Sequence, residues 1–226
     1  MQSNNLALLN PDIVDEYELE RVDIDPPDAD PRTVLGLPGG IQLAAIAGCA
    51  FEALGKGCAR MSRREGIWYA GGKMFIVDTG AGLDSSNRPG RGEGAVWQLD
   101  LGPQRLRALF VSGNQTAGNN PDNVTVSPRG GVVLCENGGG STDAFGSGSR
   151  LLGLNPAGEA CIFVKNGIQL TAAQHAGAGK LVPAGDYRSF EFCGACFDAT
   201  GRVLFVNVQP PGISFAITGP WAAGNR

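Results

Sequence analysis

EGIWYAGGKMFIVDT, residues 65–79, has two counterparts further along the chain: PDNVTVSPRGGVVLCEN at 121–137 and GACFDATGRVLFVNV at 194–208. Each sets an alternating strand before a tight turn (Gly71-Gly72-Lys73, Pro128–Gly131, Ala199–Arg202), then a β-branched strand that closes on a polar residue. The closing residues, Asp78, Glu136 and Asn207, fall in register when the second strands are aligned. A glycine-rich connection and a third strand follow in every unit: AVWQLDL, RLLGLNP and ISFAITGP. In the first two units a fourth strand can be drawn, LRALFVSG and ACIFVKNG. Alternation over five to seven residues with glycine-containing turns marks half-buried antiparallel strands. Self-similarity of two to four strands at a period of some tens of residues points to propeller blades. The expected fold is all-β: about three antiparallel blades in an incomplete ring, since propellers usually close with about four to eight. Three cannot close, and an open edge would leave strand N–H and C=O groups unpaired.

Composition agrees. Glycine contributes 35 of 226 residues, about twice the usual share of roughly 7%, and glycine serves turns and bulges better than helices. Apolar residues make up 42% of the chain, enough for a core. The net charge of −4 gives no electrostatic footprint for nucleic acid. No apolar run approaches the roughly 20 residues of a membrane span. The start, MQSNNLALLNPDIVDEYE, lacks the basic and long apolar regions of a signal peptide.

Residues 1–32 form an acidic, proline-containing segment, with nine acids between 11 and 32 against Arg21 and Arg32. Pro26, Pro27 and Pro31 interrupt it, which suits an extended linker or surface strap. Its DIDPPDAD stretch is no EF-hand, because Asp28 and Val34 stand where Gly and Glu are needed. Residues 33–64 read as an insert with one possible short helix, IQLAAIAGCAFEAL at 41–54. Residues 65–226 carry the three blades.

In a propeller the loops before the innermost strands converge on one face. Glu65, Asp122 with Asn123, and Glu191 occupy those places here. Oxygen ligands converging on an axis suit a hard cation such as Ca²⁺; the alternative is that they are ordinary turn residues. Asp78, Glu136 and Asn207 are weaker candidates of the same kind. Cys193-Gly-Ala-Cys196 invites a redox or zinc role, but in a regular strand an offset of three sends the two side chains to opposite faces. His175 is the sole histidine and lies in TAAQHAGAGK, read as a mobile loop. No phosphate-loop, nucleophile-elbow or His-Glu-x-x-His motif occurs.

RREGIWYAGGKMF, NPDNVTVSPRGGVVLCENGGG, FEFCGACFDATGRVLFVNVQPPGISFAITGPW and the DPPDADP spacer together resemble the C-terminal half of the PhoX-type alkaline phosphatases. The resemblance implies a six-bladed propeller with a calcium–iron cluster in its channel that hydrolyses phosphate monoesters, usually after Tat export to the periplasm. It implies Ca²⁺ and Fe³⁺ as cofactors and Glu65 and Glu191 as metal-ligating carboxylates. Arg188 is then a candidate phosphate contact. The family's Cys-Glu metal motif and a twin-arginine signal have no counterpart here, so the cellular location stays open. This chain alone is expected to be weakly active or inactive, with a partner chain as one source of the missing blades. Two alternatives stand beside it: a calcium-dependent lactonase of the gluconolactonase type, and a non-catalytic calcium-binding propeller fragment.

Overall fold

The computed structural model describes residues 16–19, 56, 58, 61–178, 182–219 and 221. The helix expected at 41–54, the DIDPPDAD stretch and most of segments 1–32 and 33–64 lie outside the described residues. Strands β1 (Glu16–Glu18), β2 (Arg64–Ala70), β3 (Lys73–Asp78), β4 (Ala95–Asp100) and β5 (Arg105–Val111) form one antiparallel sheet in the order β1-β5-β4-β3-β2. The second sheet takes β6 (Pro121–Val126) and β7 (Val132–Glu136). The hairpin of β8 (Ser141–Asp143) and β9 (Gly146–Gly148) then leads to β10 (Arg150–Leu154) and β11 (Ala160–Lys165), giving the order β6-β7-β10-β11. A short connection holds β12 (Gln169–Leu170), α1 (Ala172–Ala178) and β13 (Gly185–Asp186), with β12 paired to β13. The third sheet is β14 (Phe192–Phe197), β15 (Val203–Val208) and β16 (Ile213–Thr218).

The all-β, propeller-like architecture is thus the one the repeats imply. Each repeat is a meander whose first strand lies innermost, and the third has no fourth strand among the described residues. The acidic strap is also part of it: Glu16–Glu18 pairs with Arg107–Arg105 and extends the first sheet at its outer edge.

Face-to-face packing explains the differences in patterning between equivalent strands. Phe75, Val77, Val96, Leu109 and Phe110 of the first sheet pack on Val124, Val126, Val132, Leu134, Leu152 and Leu154 of the second. The opposite face of the second sheet, Val133, Cys135 and Leu151, packs on Phe192, Ala195, Leu204, Val206 and Val208 of the third. Strand β7 is therefore covered on both sides and reads as an unbroken apolar run ending in Glu136. Strand β2 has only one covered face and alternates exposed with half-buried residues. The far face of the first sheet, around Trp97, is covered by Tyr17, Leu19 and Met61. On the third sheet Phe205 and Phe215 remain 45% and 36% exposed.

Candidate functional site

The three closing residues of the second strands prove to be clasps. Asp78 is fully buried and its carboxylate accepts the backbone N–H groups of Ser62, at 2.9 and 3.0 Å, and of Arg63, at 3.0 Å. Glu136, equally buried, accepts the Asn119 N–H at 2.7 Å and two bonds from the Arg150 guanidinium at 2.6 and 2.7 Å. Asn207 donates its amide to the Cys193 carbonyl at 3.3 Å and accepts from the Ser214 hydroxyl at 2.6 Å. A matching backbone bond recurs just beyond each. The N–H groups of Thr79, Asn137 and Gln209 donate to the carbonyls of Arg63, Asn120 and Glu191 at 2.8, 3.0 and 3.1 Å. The end of each second strand therefore fixes the chain leading into the first strand, where the candidate ligands stand.

Those inner strands share a local irregularity. The register slips between Arg64 and Ile67 in β2, between Pro121 and Asn123 in β6, and between Cys193 and Cys196 in β14. A bulge bends its strand and re-aims its side chains. Glu65 and Asp122 sit in two of these bulges, and Glu191 stands one residue ahead of β14. Gly66 shows why the Glu-Gly pair is needed: a Cβ there would lie 2.6 Å from the Asp122 carbonyl oxygen and 3.0 Å from the Val124 nitrogen. Only glycine lets β2 approach the backbone of β6 so closely.

Glu65, Asp122 and Glu191 end in one electrostatic neighbourhood. Burial pushes the Asp122 carboxyl above the usual carboxylate range, and the charge of Glu65 adds to this, against hydrogen bonds from Asn123 and Asn137 that favour the charged form. Glu191 is raised by burial, then by the charges of Asp122 and Glu65, and it shares a carboxyl–carboxyl hydrogen bond with Asp122. One of its oxygens, Oε2, is buried without a hydrogen-bond partner. Asn123 donates to Asp122 Oδ1 at 2.8 Å, and Glu65 accepts from Arg63 Nη2 at 2.8 Å. Among the described residues no group of three or more His, Cys, Asp or Glu is placed so that it could hold a metal ion.

Cys193 borders the same cluster: burial raises its thiol, helped by the charges of Glu191 and Asp122. The bulge in β14 overturns the expectation that Cys193 and Cys196 face apart. They pair with Asn207 and Phe205, positions two residues apart that share a face of β15. Cys58, Cys135, Cys193 and Cys196 are free thiols.

Arg188 turns to Asp186 rather than to the carboxylates, with its Nη2 donating at 2.6 Å. Arg63 is the guanidinium next to a candidate ligand, and it was missed although the spacing Arg63-x-Glu65 puts both on one side of a strand. The segment around His175 is a short helix, α1, and not a loop. Thr171 and Gln174 cap it reciprocally: the Gln174 N–H donates to Thr171 Oγ1 at 3.3 Å, and the Thr171 N–H to Gln174 Oε1 at 2.9 Å.

Comparison with known proteins places this geometry. The family described as alkaline phosphatase PhoX matches residues 28–212, most of the chain. The chain belongs to the PhoX family. Among solved structures it is similar to Pseudomonas fluorescens PhoX in complex with vanadate, a transition state analogue, at a TM-score of 0.51 and 18% identity. The likeness covers 79% of this chain and 37% of that one, so the chain spans little more than a third of the Pseudomonas PhoX. At that identity the likeness is one of fold. No curated protein matches at comparable stringency. In this PhoX-family chain the three sheets, their inner-strand bulges and the clasps behind them are the scaffold that positions the candidate residues. No helix among the described residues is long and apolar enough to cross a membrane.

Proposed function

We infer that this chain is a metal-ligating portion of a PhoX-type phosphatase that hydrolyses phosphate monoesters. Membership of the PhoX family carries the assignment, and the vanadate bound by the Pseudomonas protein points to phosphoryl chemistry. In donor chemistry, all oxygen and in part buried, the candidate residues suit a hard cation. The charge of Glu65 adds to the raised proton affinity of Asp122, the charges of both add to that of Glu191, and Glu191 Oε2 is buried without a donor; a divalent ion between them would satisfy both conditions. Glu65, Asp122, Asn123 and Glu191 are the residues that would hold it. The donor set is all oxygen, which favours Ca²⁺; Fe³⁺ enters from the family alone. When bound, such ions neutralise phosphoryl oxygens and polarise the ester.

The chain's own contribution is orientation. Asp78 and Glu136 hold the lead-ins to β2 and β6 so that Glu65 and Asp122 need no reorganisation when ligand arrives. Arg63, held by Glu65, is better placed than Arg188 to meet a phosphoryl group. Further blades, from a partner chain or a longer polypeptide, would pack on the outer face of β15, where Phe205 is exposed.

Calcium is expected to raise the melting temperature, because an ion that binds only the folded state stabilises it by mass action. Glu65→Gln, Asp122→Asn and Glu191→Gln should each reduce that rise. An unchanged rise in all three would remove the metal assignment. With only part of a ligand set, the chain by itself is expected to turn over little p-nitrophenyl phosphate in Ca²⁺ and Fe³⁺. Vigorous hydrolysis would show that the portion present suffices. Nothing in the family match supports the lactonase alternative.

A further inference from the structure

The connection between β3 and β4 forms, with the lead-ins to β2 and β6, a cleft of about 520 Å³. Three guanidinium groups line it, from Arg63, Arg88 and Arg91. Two are engaged: Arg63 with Glu65 at 2.8 Å and Arg88 with Asp84 at 2.7 Å. Arg91 is exposed and makes no hydrogen bond or ion pair among the described residues. Glu93 lies on the same wall with Oε2 buried and unpartnered, and burial weakens its hold on a negative charge. With Arg63 and Arg88 paired to carboxylates, Arg91 is the guanidinium of this cleft that has no acceptor among the described residues.

The walls are fixed. Asn120 ties the connection to the start of β6, with its Nδ2 donating to the carbonyls of Thr79 at 2.9 Å and Gly92 at 3.0 Å. Its backbone N–H donates to the Glu93 carbonyl at 3.0 Å. On the other side the Ser62 hydroxyl donates to the Gly90 carbonyl at 2.8 Å. Gly92 is packed so tightly that a Cβ would lie 2.3 Å from the Ala81 carbonyl oxygen. Arg91 is thus carried between two pinned glycines, Gly90 and Gly92, and little conformational freedom of the loop is lost when a ligand meets it. The cleft adjoins the carboxylates directly, since Arg63 and Asn120 are two residues from Glu65 and Asp122.

We propose that this cleft is an anion subsite for the second acidic group of an organic phosphate, with Arg91 as its principal donor and Arg88 beside it. The preferred substrates are then phosphomonoesters that also carry a phosphate or carboxylate, which a planar guanidinium fork grips in bidentate fashion. The volume suits a small molecule of that kind, within the roughly 300–1,000 Å³ of ordinary ligand sites. The substrate assignment rests on the phosphatase function proposed above; anion binding at Arg91 does not.

Titration calorimetry of the full chain with inorganic pyrophosphate, at low salt with EDTA, tests the subsite without any cation at the carboxylates. Saturable binding is expected, weakened about tenfold or more by Arg91→Gln as a charge-assisted hydrogen bond is lost. Arg91→Lys should fall between, keeping the charge and losing the fork. Arg91→Gln should melt as the parent does, because Arg91 makes no hydrogen bond or ion pair among the described residues. Absence of saturable binding, or parental affinity in Arg91→Gln, overturns the proposal. Loss of the EDTA-resistant binding in Glu191→Gln with none in Arg91→Gln also overturns it, by locating the anion elsewhere. A failed calcium shift alongside Arg91-dependent pyrophosphate binding removes the metal assignment and leaves the anion subsite standing.

Discussion

Gly66 and Asp122 belong to different sheets, yet a single added carbon on Gly66 would sit 2.6 Å from the Asp122 carbonyl oxygen. The two inner strands meet backbone to backbone at the point where each presents a carboxylate, Glu65 on one and Asp122 on the other. Spacing between the candidate ligands is therefore set by main-chain contact and not by side-chain packing.

Gly66→Ala should destabilise the chain by about 1–3 kcal/mol, the usual range for overpacking, because the obstructing atoms are backbone and cannot swing aside. A lower urea midpoint at unchanged slope is the expected observation. A neutral effect would mean that β2 and β6 are not in this contact.

Glu136 and Arg150 form a buried ion pair, both essentially inaccessible, with Arg150 also donating to the carbonyls of Thr116 and Gln115 at 2.9 and 2.8 Å. Glu136→Ala leaves the buried guanidinium with only the Asp143 carboxylate, at 3.6 Å, as counter-charge and should cost about 3–5 kcal/mol. Glu136→Gln keeps an acceptor for the Asn119 N–H and should cost less. Chemical denaturation of the two variants checks the ranking.

Asp78→Ala leaves the N–H groups of Ser62 and Arg63 without their acceptor, a loss of about 1–3 kcal/mol for a buried orphan. Calcium should also bind it more weakly, since the freed segment is the one that carries Glu65. Equal calcium affinity in parent and variant would separate the clasp from the ligand.

The pH dependence has a definite sign. Asp122 and Glu191 are raised in the folded state above their ordinary values of 3.8 and 4.5. The folded chain thus holds these protons longer than the unfolded one. Their contribution to stability is complete below the ordinary values and is lost as pH rises through the raised ones. In EDTA, Glu191→Gln should therefore gain stability relative to the parent as pH rises through that window, measured by melting at successive pH values. A difference independent of pH would show that the carboxyls do not share a field.

Much of this was legible in the residues. Alternation in REGIWYA and the β-branched runs of FIVD, VVLCE and VLFVNV gave strands, turns and their antiparallel order, because one covered face imposes a period of two. The alignment of Asp78, Glu136 and Asn207 was visible too, but their task was not. A carboxylate that clasps a distant N–H group looks, in sequence, like one that waits for an ion. Bulges escaped notice, as at Cys193–Cys196, because one extra residue reverses the facing of all that follows and leaves no compositional mark. Helix α1 was lost among alanines and glycines, although Thr171-x-x-Gln174 was there to mark its start. Strand β1 depended on a partner nearly ninety positions away, beyond the reach of local pattern.

The clasps leave the inner-strand positions ahead of them unburdened. Because Asp78 and Glu136 carry the mechanical load from behind, the residues one step along each inner strand can be exchanged without dismantling the sheets. A lineage built on this frame can change the side chains at the rim by single substitutions, while the supporting acids stay where they are.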